Sequence, residues 1–491
     1  MRKTFTIFMM AALGVMPAVA EDFATAGDGT TYSFEALSGI EGSGVTKDGT
    51  VYRMANTVTI SQGDKFVLDE GILVEMDNDV ALNVECNADF DVDETVLFTR
   101  SDETSEPKGI SVSDNTEIMK FRNVNFEYCQ LRTLSDVGIS VEDCEFKYAV
   151  GALSSSGALS FGGSGSVNTV KNCRFEENTV PAMGAGANIF CSVTVDNCYL
   201  YDNNSANTNK PQINLTAPGD GELRISNCEI VGNKRTMVGG IAVGNMLQGT
   251  GANKVVIENN KLTDHRYGIT AIGPMDIDII GNTMIDNKYE TNPMNGGSGI
   301  SIYDSSRKLT SMITGNHIEG SLWGVTIIGG KDVNMGKVDD PNAADYNPGN
   351  NVFVDNGNNG VLYDLYNNTD LTVYAQGNTW NVDEQTAEKI ETVIFHKNDD
   401  PSLGEVIYMP AGGQGGVSSA LNDVACVYSR ADRAVLVNAA GAVADVYSLS
   451  GQLCGKYVAA DGRIDLSDLS AGLYLVKVST SDGVAVLKCQ L

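Results

Sequence analysis

Several things are scarce in this chain, and each scarcity excludes something. Lysine and arginine number 33 against 63 aspartates and glutamates, for a formal charge of −30. Nucleic acid requires a basic stripe, so no nucleic-acid partner is expected. So acidic a chain also repels polyanions unless a local basic patch compensates. Histidine occurs three times. No loop gathers Cys and His at zinc spacing, and no EF-hand spacing occurs. Proline is limited to 11 residues and runs of helix formers are rare, whereas glycine reaches 53 and asparagine is abundant. That balance reads as β structure with many tight turns. The ten cysteines are scattered, unlike those of a disulfide scaffold.

Long apolar runs are missing too, except at the start. Arg2 and Lys3 precede an apolar run over 5–19, and Ala18, Val19 and Ala20 form a small-x-small cleavage motif. Residues 1–20 are therefore expected to be a secretory signal peptide, since the run is too short for a spanning helix. Arg2 and Lys3 would leave with it, taking the formal charge from −30 to −32. The expected location is secreted or at the cell surface, in one copy.

What is present is a repeat. "EDCEF", "KNCRF", "DNCYL" and "SNCEI" centre on Cys144, Cys173, Cys198 and Cys228. "RNVNF" precedes them at Val124, and the slot continues as Asn260, Asn282, Asn316, Asn351 and Asn378. The steps average about 28 residues, a solenoid period with no helical stripe. A second phrase, glycine followed by alternating apolar residues, recurs out of phase at Gly240, Gly268, Gly299, Gly324 and Gly360. Two offset phrases in one period imply several strands per coil. About ten such coils would share one continuous core. The Cys and Asn slot is expected to be a buried column, with an amide ladder in its Asn part and, in its Cys part, free thiols in preference to disulfides between neighbouring coils.

On these residues the chain resembles right-handed parallel β-helix proteins of the pectin-lyase-like type, over roughly residues 55–410. The stretch ending "VLFTR" at 96–100 resembles their opening coils. "GNTWN", a short helix near 384–395 and the Gly404, Tyr408 and Pro410 stretch resemble their closing segment. The resemblance implies a fold that hosts lyases, hydrolases, adhesins and structural proteins alike.

After Pro410, "AGGQGGVSS" reads as a linker. The remaining residues read as a small antiparallel sandwich. Here "VYSLSG" at 446–451, "IDL" at 464–466, "LSAGLYLVKV" at 469–478 and Lys488 resemble the C-terminal sorting domain of the type IX (Por) secretion route of Bacteroidetes. Cys454 and Cys489 fall outside that pattern. The resemblance implies passage across the outer membrane, with secretion machinery or a surface anchor as partner. The fold class is therefore all-β: signal peptide 1–20, capped right-handed parallel β-helix solenoid 21–410, linker 411–420, β-sandwich 421–491.

Chemistry is sparse. Alternation in the Gly-led strands turns Ile241, Val243, Ile269, Ala271, Ile300, Ile302, Val325, Ile327, Val361 and Tyr363 inward. The outward row is then small and apolar, with Asp364 its sole carboxylate and Tyr303 an aromatic. A glycosidase needs two carboxylates and a lyase needs a base. His317 in "GNHIEG" does not match the Gly-His-Gly element of polygalacturonase-like enzymes. Catalytic candidates are thus confined to turns: Asp264, His265 and Arg266 in "TDHRYG", and Asp304 and Arg307 in "YDSSRK". Residues 75–80 and 398–402 carry oxygen ligands suited to Ca²⁺ but read as turns, so no cofactor or metal is expected. Loops at 203–211, 285–298 and 329–349 offer amides and aromatics such as Tyr289, a chemistry suited to sugars. The expected ligand-binding residues are Tyr303, Tyr289 and Asp364. The expectation is a surface β-helix that binds or adheres to polysaccharide. The alternatives are a polysaccharide lyase or hydrolase with a turn-built site, and a purely structural surface protein.

Overall fold

The computed structural model describes residues 22–412 and, beyond them, 426–429, 433–437, 441–448, 452–460, 462–470, 472–480 and 483–490. The signal peptide expected at 1–20 and the linker expected at 411–420, save residues 411 and 412, lie outside the described residues. The chain divides into two compact units between Gly412 and Gly413.

The first unit is a parallel β-helix, wound in the right-handed sense that parallel crossovers take. One coil runs through Met183–Ala185, Ser192–Asp196 and Tyr199–Tyr201, and the next through Ile213–Thr216, Glu222–Ser226 and Glu229–Val231. Each strand lies in parallel register on its counterpart: Met183 beside Ile213, Val193 beside Leu223, Tyr199 beside Glu229. The first strands of the coils form a fourteen-stranded sheet in chain order, from Phe23–Ala24 to Ile394–Phe395. Strand spacing makes that sheet about 60 Å long. The Cys and Asn phrase undercounts the coils because the N-terminal ones lack it.

The phrase marks a corner. Between the second and third strands the chain turns through a residue in the left-handed region: Asn172 at φ 54°, Asn197 at 52°, Asn227 at 56°, Asn259 at 55°, Gly281 at 64°, Gly315 at 67°. Asn and Gly enter that region at low cost, which is why they recur there. The next residue then points inward, and Cys173, Cys198, Cys228, Asn260, Asn282 and Asn316 are all buried. The Gly-led phrase has a different cause. A Cβ on Gly240 would lie 2.6 Å from Leu262, and one on Gly299 would lie 2.4 Å from Ile318. Only a residue without one lets the first strand approach the core side chains of the third.

The core is a stack of like side chains. Phe126, Phe146 and Phe175 stack at centroid separations of 4.8 and 4.7 Å. The same column continues through Leu200, Ile230, Leu262, Met284, Ile318 and Phe353. It closes on Trp380, stacked 5.0 Å from Phe353. Both ends of the stack are covered, as exposed strand edges require. A short helix, Phe34–Ser38, buries Phe34 and Leu37 at one end. At the other, Ala387–Ile390 and the 3-10 turn Glu391–Val393 bury Ile390 and Val393.

One strand departs from the expected phase. Val361 is 46 % exposed and belongs to an antiparallel hairpin, Gly357–Asn358 with Val361–Leu362. The sheet strand of that coil is Leu365–Asn367, with Leu365 buried. "GVLYDL" alternates in apolar character like its siblings, but Gly360 at φ 81° serves the hairpin turn.

The second unit contains two antiparallel sheets. Cys426–Ser429, Ala434–Val437 and Arg463–Asp465 form one, and Leu453–Val458, Val443–Ser448, Leu473–Thr480 and Gly483–Gln490 the other. Its core includes Val435, Ala444, Val446, Ile464, Leu466, Val476 and Val478.

Candidate functional site

Two polar columns run inside the helix. In the first, Asn260, Asn282, Asn316 and Asn351 each send their backbone N–H and their side-chain amide to the oxygen of the next member, ending on Asn378. Above it Cys228 donates its N–H to Asn260, and Cys198, Cys173 and Cys144 continue the column as free thiols. The second column lies five residues on, after a second left-handed corner. Asn178 bonds Asn203, Asn203 bonds Gln212, and Gln212 bonds His265, which bonds Asn287. Gln212 occupies the place that Asn233 vacates by turning out to Asp202.

His265 is therefore a rung of a ladder. It is 1 % exposed. Nδ1–H donates to Asn287 and Nε2 accepts from Gln212, which leaves no face for a substrate. Burial pushes its pKa down to about 4. Its neighbour Asp264 occupies the corner itself, at φ 63°, and accepts from the Tyr289 hydroxyl at 3.2 Å. Arg266 is buried against Glu290 at 2.6 Å. Asp304, 2 % exposed, accepts from the Ser306 hydroxyl and from the backbone N–H groups of Ser306, Lys308 and Leu309. Burial disfavours its charge, but these donors prevail and hold its pKa below the ordinary value. Arg307 pairs at the surface with Asp370, 2.8 Å away. The structure thus unites Asp264 with Tyr289 and brings no convergent acid and base out of the five catalytic candidates.

Asp364 is not an outward ligand residue. It is wholly buried, and its Oδ2 accepts from the Asn381 N–H at 2.7 Å. Burial raises its pKa to about 7. Alternation counted from Gly360 places Asp364 outside, but the sheet strand starts four residues later, with Leu365 beside Val325, so Asp364 falls in the tight slot that Gly324 fills in the coil before.

Glu391, His396 and Asp399 bring their ligand atoms within 4.8 Å of one another. Here His396 Nδ1 accepts from the Val406 N–H, which puts the ring proton on Nε2, and Nε2 donates to Glu391 at 2.9 Å. Glu391 also accepts from Asn398 and Tyr408. Both ring nitrogens are engaged, so the cluster acts as a clamp on the C-terminal cap. In the two stretches considered for Ca²⁺, Asp77 pairs with Arg53 and Asp400 with Ser402. Neither stretch gathers its carboxylates on one point.

The outward face of the fourteen-stranded sheet is different in kind. One row, in unbroken register, passes through Ser111, Arg132, Ser160, Gly184, Asn214, Ala242, Thr270, Ser301 and Thr326. It ends on Tyr366 and Phe395. At that end four rings meet. Trp323 lies 4.7 Å from Tyr363 and 5.0 Å from Tyr366, and Tyr366 stacks on Phe395 at 4.9 Å. All four are partly exposed. Tyr303 is 43 % exposed but ends the strand whose other end, Ser298, lies beside Trp323; Met294, next to Pro293, is 82 % exposed. Trp323 is aimed by its indole N–H, which donates to the Pro293 carbonyl at 2.9 Å. None of this platform's four rings is among the ligand residues expected from the sequence, which turns Tyr363 inward. Its aromatics come from three coils, and the spacing of "LWG" and "YDLY" does not announce that they touch.

With this geometry in hand, the family model of the right handed beta helix region matches residues 108–284. Comparison with curated proteins finds no match. The chain is a parallel β-helix solenoid, a fold that suggests a polysaccharide-related or surface protein.

Proposed function

We propose that the protein binds uncharged glycan chains on the outward sheet face, at the exterior of the cell. The observation that carries this is the platform of Trp323, Tyr363, Tyr366 and Phe395 at the end of a row that includes the partly exposed hydroxyls of Ser111, Thr270 and Ser301 and the amide of Asn214. Aromatic faces accept the apolar faces of sugar rings, and hydroxyls and amides bond their edges. The acidic surface disfavours polyanionic chains. The leader-like start and the sorting-like tail support export across a Bacteroidetes-type outer membrane, with display there as a monomer.

A polysaccharide array, read for both binding and released product, tests the reading. The wild-type chain should retain neutral polysaccharides and release nothing. Trp323→Ala should weaken retention by about three- to tenfold, the scale of one lost aromatic contact. Release of reducing or unsaturated sugars, or full retention by Trp323→Ala, defeats it.

A further inference from the structure

Trp323 owes its aim to a loop, residues 286–297, whose own order needs explaining. The loop joins Thr283–Ile285 to Ser298–Tyr303 and contains one 3-10 turn, Pro293–Asn295, capped by the Asn292 side chain. Pro293, within that turn, supplies the carbonyl that receives the Trp323 indole N–H. Arg266 grips the loop before the turn and at the turn's last residue. Its Nε donates to Glu290 at 2.6 Å, and its Nη2 donates to the Asn295 carbonyl at 3.1 Å. Nη1 donates to Asn209 in the neighbouring loop. Glu290 in turn accepts from the Asn292 N–H at 3.0 Å. The side chains of Arg266 and Glu290 are 11 % and 6 % exposed.

A buried ion pair is a poor way merely to fill space, because taking two charges from water costs more than an apolar contact would. A planar guanidinium fork does what apolar packing cannot: it fixes direction at three acceptors at once. We infer that the pair of Arg266 and Glu290 is a positioning clasp that pre-orients Trp323 and thereby sets the affinity of the aromatic platform. The effect on affinity rests on the proposed glycan reading; the effect on Trp323 does not. A pre-ordered ring avoids the ordering cost that a mobile one meets on binding.

The chain has two tryptophans, and Trp380 is only 2 % exposed. Acrylamide quenching of the intact protein therefore reports mainly Trp323. Arg266→Lys keeps the charge but loses the fork, and Glu290→Gln is nearly isosteric. Each should raise the quenching constant and shift emission to the red, with the far-ultraviolet β signal preserved. Each should also weaken neutral-glycan binding, by no more than the about three- to tenfold expected of Trp323→Ala, because the clasp acts only through that ring. Unchanged quenching and emission in either folded variant overturns the clasp. Changed quenching with unchanged affinity overturns its role in binding. Should Trp323→Ala bind glycan like wild type, the glycan reading fails, while the quenching result still decides the clasp. Asn209→Ala, which removes a single arm, serves the same comparison should the other two fail to fold.

Discussion

Asn282 gives both its backbone N–H and its side-chain amide to a single atom, Oδ1 of Asn316, at 2.9 and 3.1 Å. The Asn316 amide reaches back to the Ile279 carbonyl and on to Asn351. One side chain thus satisfies polar groups in three successive coils. Asn316→Ala would leave two donors of Asn282 and the Ile279 carbonyl short of a partner. A buried orphan costs about 1–3 kcal/mol, so the loss should be about 3 kcal/mol or more. Denaturant unfolding measures it, and a loss near zero would show that the ladder is decorative.

The thiol part of the column makes a chemical prediction. Burial raises the pKa of Cys86 and Cys191 to about 11 and raises that of Cys173, while hydrogen bonds with neighbouring thiols, and burial after them, raise those of Cys198 and Cys228. The thiolate is the reactive species. Iodoacetamide should therefore leave Cys86, Cys129, Cys144, Cys173, Cys191, Cys198 and Cys228 unmodified in the native protein and alkylate all seven after denaturation. Peptide mass mapping reads both states. Native labelling at Cys198 would contradict a closed column.

His265 makes stability depend on pH. Its folded pKa, pushed down to about 4 by burial, lies below the ordinary 6.5. Between those values the unfolded chain takes up a proton that the folded chain refuses. Stability is thus full above about pH 6.5 and is lost as pH falls towards 4, by on the order of 3 kcal/mol. His265→Gln keeps an amide in the rung without the titration. Its unfolding midpoint should fall less between pH 7 and pH 5 than that of wild type. Parallel midpoints would remove His265 from the account.

Asp364 acts in the opposite sense. Its folded pKa, raised by burial to about 7 from 3.8, means that the folded state holds a proton the unfolded state has released. The penalty is absent below about pH 4, grows as pH rises, and is complete above pH 7, at a few kcal/mol. Asp364→Asn should be more stable than wild type at pH 8 and show little gain at pH 4. A destabilised Asn variant at pH 8 would mean that the carboxylate has a partner strong enough to keep it charged.

The architecture was legible because stacking repeats each requirement. Every coil needs a left-handed corner followed by a small inward residue, so Asn172 with Cys173 and Gly281 with Asn282 announce themselves by recurrence. The second column was not legible. Its rungs vary in type: besides Asn178, Asn203, His265 and Asn287 they include Ala149, whose N–H donates to Asn178, and Ser321, whose N–H donates to Asn356. One slot, that of Asn233, is filled by Gln212 from 21 residues earlier in the chain. A lone histidine in such a series looks like chemistry until its two ring nitrogens are seen to be occupied. Asp364 was misplaced because an inserted hairpin repeats the alternation of the strand it precedes.

The sequence alone determined the parallel solenoid and the buried Cys and Asn column, because period and local backbone preference are properties of the chain at short range. Tertiary structure alone decided where Trp323, Tyr363, Tyr366 and Phe395 meet, and that Arg266 is a clasp beside them. Those contacts join coils with loops of unequal length between them, so no spacing in the sequence encodes which side chains will touch.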